Sequence, residues 1–258
     1  MNLQMDERIA DRYHSDSQRI RVITENWVSN NIFCPYCGRP YIRQFENNRP
    51  VADFYCPECL EEYELKSKHT SIYNKVADGA YSTMIERIES INNPNFFFMQ
   101  YNKGNLRVKD FVMIPKYFFV PEVIEKRNPL ADTAKRAGWT GCNILLKKIP
   151  QEGKIYIVKD EIEQPVGEVV EKVEKVGFIK QYQLDARGWI LDILNCINQI
   201  DGNEFTLGQM YEFEQMLAVK YPNNKHIKAK IRQQLQILRD KDIIAFRGNG
   251  RYLKRFVL

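Results

Sequence analysis

The sequence predicts a mixed α/β fold, a sheet with both faces covered, followed by a compact pattern of three helices and a hairpin. Two observations predict the first part. Apolar runs at residues 96–99 and 111–114 lie in expected strands 96–101 and 107–114, which are preceded and interrupted by segments of helical spacing. Strands set between helices in this way indicate a sheet with covered faces. A third observation predicts the second part: beyond residue 184, three amphipathic segments lead to a Gly-Asn-Gly turn. The 258 residues suit one large domain, or a large one with a small partner. With 44% hydrophobic and 28% charged residues, the chain is neither disordered nor fibrous in type. No apolar run approaches the length of a membrane span, and the polar residues 1–16 lack the apolar core of a signal peptide. A soluble, cytoplasmic protein is expected.

In chain order, the first helix starts near Ser15 or Ser17, either of which can cap it, with Ile20, Ile23 and Trp27 on one face. Residues 49–68 read as two strands, 51–55 and 63–66, separated by a cysteine pair. A helix over 78–91 follows, then an Asn-Asn-Pro turn, the strands 96–101 and 107–114, and a later strand at 154–158. Residues 159–183 carry Glu161, Glu163, Glu168, Glu171 and Glu174, and the end of this stretch reads as a linker. Two domains are therefore expected, 1–183 and 184–258. In the second, a helix over 186–200 repeats Ile190, Ile193, Leu194 and Ile197. Another begins after Thr206 with Leu207, Met210, Phe213 and Leu217. The third, over 224–239, keeps Ile227, Ile231, Leu235 and Leu238 inside. Its polar face presents Lys225, Lys228, Arg232, Gln233 and Gln236. Strands at 243–247 and 251–257 flank Gly248-Asn249-Gly250, whose glycines permit positive φ. That order is a winged helix, in which the third helix enters the major groove of DNA.

Charge and cysteines narrow the function. Net charge is +5, from 38 basic and 33 acidic side chains, too little to name a partner. From Tyr221 onward, however, ten Lys or Arg face only Asp240 and Asp242, a basic end suited to phosphates. Of six cysteines, Cys142 and Cys196 sit alone in apolar surroundings and read as core thiols. Cys34-Pro-Tyr-Cys37 and Cys56-Pro-Glu-Cys59 form a C-x2-C-x18-C-x2-C pattern. Two such knuckles offer four sulfurs to one tetrahedral zinc ion, with no position open for substrate, so the zinc is structural. The alternatives are two unrelated pairs or a redox dithiol.

The second cysteine pair sits between Asp53 and Glu64-Leu65-Lys66. Glu64 and Lys66 are two apart on an expected strand, so they share a face. Closing the loop with zinc would pin Asp53 beside Glu64. Two converging carboxylates bind a hard ion such as Mg²⁺, which stabilises charge on a scissile phosphate and acidifies bound water. Lys66 would position or deprotonate that water, or offset phosphate charge. The bland alternative is a solvated face, since Glu61, Glu62, Glu64, Lys66 and Lys68 form one charged run.

Asp53 followed by Glu64-Leu65-Lys66 on adjacent strands resembles the PD-(D/E)xK nuclease core, with Ala52 standing where a Pro usually precedes the Asp. Four longer stretches carry a closer resemblance: residues 45–56 (Phe-Glu-Asn-Asn-Arg-Pro-Val-Ala-Asp-Phe-Tyr-Cys), 93–98, 136–143 around Trp139, and 226–241. They resemble the DpnI-like methyl-directed restriction endonucleases nearly end to end. The resemblance implies a restriction-endonuclease-like catalytic domain with a four-cysteine zinc site, plus a winged-helix domain. It implies Mg²⁺-dependent cleavage of double-stranded DNA at GATC carrying N6-methyladenine, by a bacterial protein that reads the modification with both domains. Catalytic Asp53, Glu64 and Lys66 follow, with Asp53 and Glu64 as magnesium ligands and zinc on Cys34, Cys37, Cys56 and Cys59. Trp139 matches the family's aromatic wedge at the target; ordinary packing under a loop is its alternative. No membrane and no obligate protein partner are expected.

One adenine methyl is worth about 0.8 kcal/mol when buried, less than tenfold in affinity, so a single apolar contact cannot select it sharply. Two domains testing two methyls multiply the factor. Asn224, Gln233 and Gln236 suit the adenine edge, and Arg232 suits guanine. Lys225, Lys228, Arg247 and Arg251 suit the phosphates. A non-catalytic regulator made of zinc ribbon and winged helix is the competing function; it has no need of Asp53, Glu64 and Lys66 together.

Overall fold

The computed structural model describes residues 1–46, 52–90 and 93–256. Contacts divide the chain into two units, Met1–Lys147 with Gly153–Glu174, and Lys148–Glu152 with Lys175–Leu258.

The first unit is built on a sheet. Its elements are α1 (Asp16–Asn31), β1 (Arg43–Gln44), β2 (Phe54–Tyr55), β3 (Glu62–Lys68), β4 (Val76–Ala80) and α2 (Tyr81–Glu89). Then come β5 (Asn95–Asn102), β6 (Arg107–Ile114), β7 (Ile124–Lys126), β8 (Gly141–Ile144), β9 (Ile155–Lys159), β10 (Ile162–Glu163) and α3 (Val166–Val176). Seven strands form one sheet in the order β1-β2-β3-β5-β6-β9-β10; only β3 and β5 pair in parallel. That parallel pair needs a crossover, which β4 and α2 supply. A second, antiparallel sheet runs β4-β8-β7.

The core centres on β5 and β6. Phe96, Phe97, Phe98 and Met99 are all fully buried, so β5 is covered on both faces as its unbroken apolar run requires. α1 covers one face: the Trp27 ring meets Phe111 edge-on at 5.5 Å, and the Thr24 hydroxyl lies 3.3 Å from that of Ser67. Contact through Ser67 fixes which side of β3 faces α1. Glu64 and Lys66, out of phase with Ser67, point to the opposite side.

The helix expected over 78–91 begins only at Tyr81; residues 76–80 are a strand, because Val76, Asp78 and Ala80 alternate against β8. Ile91 lies outside the described residues, as does Val51 of the expected strand 51–55. The middle of the glutamate-rich stretch forms α3, and its end, expected as a linker, is a 3-10 turn over Gly177–Gln181 with Phe178 and Ile179 buried. Val169, Val173 and Val176 are buried at helical spacing, and Glu168, Glu171 and Glu174 are the wet face of α3. Ser15 is the N-cap residue of α1 but makes no capping bond; its hydroxyl pairs with Ser17 at 2.8 Å.

The second unit comprises α4 (Leu184–Gln199), β11 (Glu204–Thr206), α5 (Leu207–Glu212), α6 (Glu214–Lys220), α7 (Ile227–Asp240), β12 (Ile244–Phe246) and β13 (Arg251–Lys254). The expected inward residues of α4 and α7 are buried without exception. The single second helix is in fact two, joined at Phe213 and started by a Thr206–Gln209 capping box. A third strand, β11, goes beyond the expected hairpin; it pairs with β13 and buries Phe205 against Tyr252. The hairpin turn puts Gly248, Asn249 and Gly250 all at positive φ, and Val257 of its expected second strand lies outside the described residues.

Candidate metal centre and buried acid–lysine cluster

The two cysteine pairs fold as matching knuckles. In the first, the Gly38 N–H donates to the Cys34 carbonyl, and Gly38 has φ +72°; in the second, the Leu60 N–H donates to the Cys56 carbonyl, and Leu60 has φ +62°. Each chain thus turns back so that its two sulfurs point the same way. All four Sγ atoms lie within 4.8 Å of one another, with Cys34 and Cys59 at 3.5 Å and Cys37 and Cys56 at 3.6 Å. A tetrahedral zinc ion with bonds of about 2.3 Å needs sulfurs about 3.8 Å apart. The thiols are free rather than paired as disulfides, and this donor set can hold zinc. Burial pushes Cys34 up to about 11 and raises Cys59 as well. Burial opposes ionisation of Cys56 too, but the N–H groups of Cys59 and Glu58 donate to its sulfur and keep it below the usual thiol value.

Tyr63 ties this cluster to β3. Its hydroxyl lies 3.1 Å from the Cys34 sulfur, and its buried ring stacks on Phe97 at 4.5 Å. The neighbouring residue on the strand is Glu64. A ligand-contacting group of this kind, fixed in the core, orients the sulfur it touches.

Along β3, Glu64 and Lys66 pair at 2.6 Å, as their shared face requires. Both are largely buried. Lys66 also pairs with Asp78 of β4, and the second Glu64 oxygen faces Arg87 of α2 at 3.4 Å. Burial raises the Glu64 carboxyl above its usual range; Asp78 adds to this, while Lys66 and Arg87 oppose it. Burial disfavours the Lys66 charge as well, yet Glu64 and Asp78 outweigh it and hold the ammonium above the ordinary lysine range. Asp53 stands just before β2. Its N–H donates to the Tyr63 carbonyl, and its Oδ2 accepts the Leu65 N–H at 2.7 Å. That nitrogen belongs to the peptide joining Glu64 to Leu65, so the Asp53 carboxylate abuts the strand beside Glu64. Carboxylate oxygens set against this segment are the hard donors that magnesium prefers, and their chemistry fits it.

Sequence reasoning misses Asp78, Arg87 and Tyr63. Tyr63 is legible as the inward neighbour of Glu64, and Asp78 from its alternation with Val76 and Ala80. Arg87 carries no local signal.

The family model described as the Dam-replacing family (DpnI) matches residues 1–182, and that of the Dam-replacing HTH domain (DpnI_C) matches residues 185–254. The chain belongs to the Dam-replacing family. Membership points to a restriction nuclease, and the HTH domain to DNA binding.

The DNA-binding candidates of this Dam-replacing protein fall into two groups. On α7, Lys228, Arg232, Gln233 and Gln236 line one side, and on the wing Arg247 and Arg251 are exposed. Lys225 is exposed in the turn before α7. Asn224 is also in that turn rather than on the helix: its Oδ1 accepts the His226 N–H at 2.8 Å and shapes the helix start. Tyr211 of α5, unremarked in the sequence, orders two of these cations. Its hydroxyl accepts from Arg232 at 2.9 Å, and Lys228 lies 5.4 Å from its ring centre. Trp139 belongs to the first unit, in the loop between β7 and β8. The Arg136 guanidinium lies 4.5 Å over its ring, and a Cβ on Gly141 would come within 2.9 Å of it.

As for membranes, among the described residues no helix is long and apolar enough to cross one.

Proposed function

We propose that this chain is a type II, methyl-dependent restriction endonuclease that hydrolyses double-stranded DNA at GATC sites carrying N6-methyladenine. It acts in the bacterial cytoplasm without an obligate protein partner. Residues 1–183 cut, and residues 184–258 grip DNA. The observation that carries the reading is the buried Glu64–Lys66 pair on β3, flanked by the Asp53 carboxylate, on the strand that Tyr63 links to the cysteine cluster. A run of solvated charges would leave these side chains mostly exposed, whereas 16% of the Glu64 and 21% of the Lys66 side chain is exposed.

In this reading Asp53 and Glu64 are the ligands of a magnesium ion, which when bound stabilises phosphate charge and acidifies water. Lys66 holds a positive charge toward the reacting phosphate, and β3 keeps its side chain on the same face as Glu64. Cys34, Cys37, Cys56 and Cys59 hold zinc, which fixes the loop before β3 and takes no part in the chemistry. Trp139 enters the duplex at the target as an apolar wedge. Gln233, Gln236 and Asn224 face adenine edges, Arg232 faces guanine, and Lys225, Lys228, Arg247 and Arg251 face phosphates.

The test incubates purified chain and Mg²⁺ with adenine-methylated and unmethylated plasmid. Cutting of the methylated plasmid alone is expected. Cutting of both removes the methyl requirement, and cutting of neither favours a DNA-binding regulator. Asp53→Ala should abolish cleavage while leaving DNA affinity and zinc content unchanged.

A further inference from the structure

We propose that Asp78 is a positioning residue that holds the Lys66 ammonium in its working place; the role rests on the nuclease reading above. Lys66 reaches its site on a flexible four-carbon stem, and a bare ammonium on such a stem has no fixed position. Two carboxylates fix it here, Glu64 from its own strand and Asp78 from a different sheet. Their duties differ. Glu64 is the proposed ligand, so its oxygens are shared between Lys66 and that task. Asp78 is the more secluded of the two, with 5% of its side chain exposed against 16% for Glu64, and it is the partner that serves Lys66 alone among the ion pairs of this cluster.

The backbone around Asp78 is set for this. β4 pairs with β8 through Val76↔Ile144, Ala77↔Asn143 and Asp78↔Cys142, and Cys142 is fully buried. The register then slips by one residue at Gly79, before Ala80 pairs with Gly141. Such a bulge re-aims the adjacent side chain, and bulges of this kind gather beside active sites. Asp78 thus comes from a paired strand, with its orientation fixed by the ladder on one side and the bulge on the other. Misplacing a reacting group by about 1 Å can cost about 100-fold in rate, so a seat of this kind matters to the reaction.

The test compares the full-length wild type with Asp78→Asn, which keeps shape and loses charge, and Asp78→Glu, which keeps charge. The first readout is the single-turnover cleavage rate on methylated plasmid, with DNA affinity measured alongside. The second is independent of activity: the ¹H–¹⁵N signal of the Lys66 ammonium, assigned by its loss in Lys66→Met. Ion pairing slows its proton exchange and makes it visible. Asp78→Asn, which leaves Lys66 only its Glu64 partner, should weaken that signal and cut about 100-fold more slowly, with DNA affinity unchanged and a melting temperature lowered by far less than the rate. Asp78→Glu should recover the signal and most of the rate. An Asp78→Asn chain that keeps the signal at wild-type strength, or cuts at nearly the wild-type rate, overturns the proposal. So does one whose melting temperature falls in step with its rate, since that makes Asp78 a folding residue. A wild type that cuts no DNA, yet shows the ammonium signal that Asp78→Asn weakens, sinks the nuclease reading and is recognisable as that failure.

Discussion

At the scale of single residues, the two knuckles are the clearest case of one geometry met by different chemistry. Both need a residue in the left-handed region directly after the second cysteine. The first supplies Gly38, for which that conformation is free; the second supplies Leu60. A leucine there costs about 1–2 kcal/mol, and with 73% of its surface exposed Leu60 regains little by packing. Leu60→Gly removes that strain, while the greater freedom of glycine in the unfolded chain returns part of the gain. The expected result is a net stabilisation of about 0.5–1 kcal/mol, read as a melting temperature higher by about 2 °C in differential scanning calorimetry. A lower melting temperature would show that the Leu60 side chain contributes to the fold more than its exposure allows. Glu64 and Lys66 teach a related lesson. Their two-residue spacing sets a common face in the sequence already, whereas the residue that completes the cluster, Asp78, comes from a segment whose short alternation passes for the start of a helix.

At the scale of elements, what can be read in advance depends on length and pattern. β5 and β6 are eight residues each and largely apolar, and α7 repeats its buried side chains every three or four positions; each declares itself. β7 and β8 are three and four residues long, too short for any period to show, and the valines of α3 are interleaved with glutamates. A bare count of charge on the C-terminal unit likewise says too little. Arg255 is paired with Asp242, Arg239 with Asp240 at 2.8 Å and Lys228 with Glu214 at 3.2 Å, so those cations are partly spent within the protein. Arg247 makes no ion pair among the described residues and stands on the wing. The salt dependence of binding separates the two kinds. Removing a cation that displaces a counterion from phosphate makes the slope of log affinity against log salt shallower by about 0.9. Arg247→Ala should show that change on methylated and unmethylated duplex alike, and Arg255→Ala should leave the slope where it was. Equal changes for both would mean that the Arg255–Asp242 pair opens on DNA.

For the whole molecule, the four cysteines and the proposed Asp53–Glu64 site would give two metals two kinds of work, both bearing on β3. The cysteine cluster joins the segment after α1 to the loop before β3, with Cys34 and Cys59 25 residues apart. Through Tyr63 it bears on the strand that carries Glu64 and Lys66. A structural zinc ion contributes its binding free energy to folding, so stripping it should unfold or loosen the first unit, and a catalytic ion of the magnesium type should not be able to replace it. Asp53 and Glu64 offer oxygen alone, and an ion held there as proposed would be bound and lost without that consequence. A zinc chelator in excess Mg²⁺, or Cys56→Ser, should therefore lower the melting temperature and abolish cleavage together, with the loss of bound zinc by atomic absorption. Asp53→Asn in the same buffer, which keeps an oxygen for the Leu65 N–H, should abolish cleavage with melting temperature and zinc content nearly unchanged. If chelation left the melting temperature untouched while cleavage ceased, the sulfur site would be reporting on the reaction itself, and the division between a metal that builds β3's surroundings and a metal that works on DNA would fail.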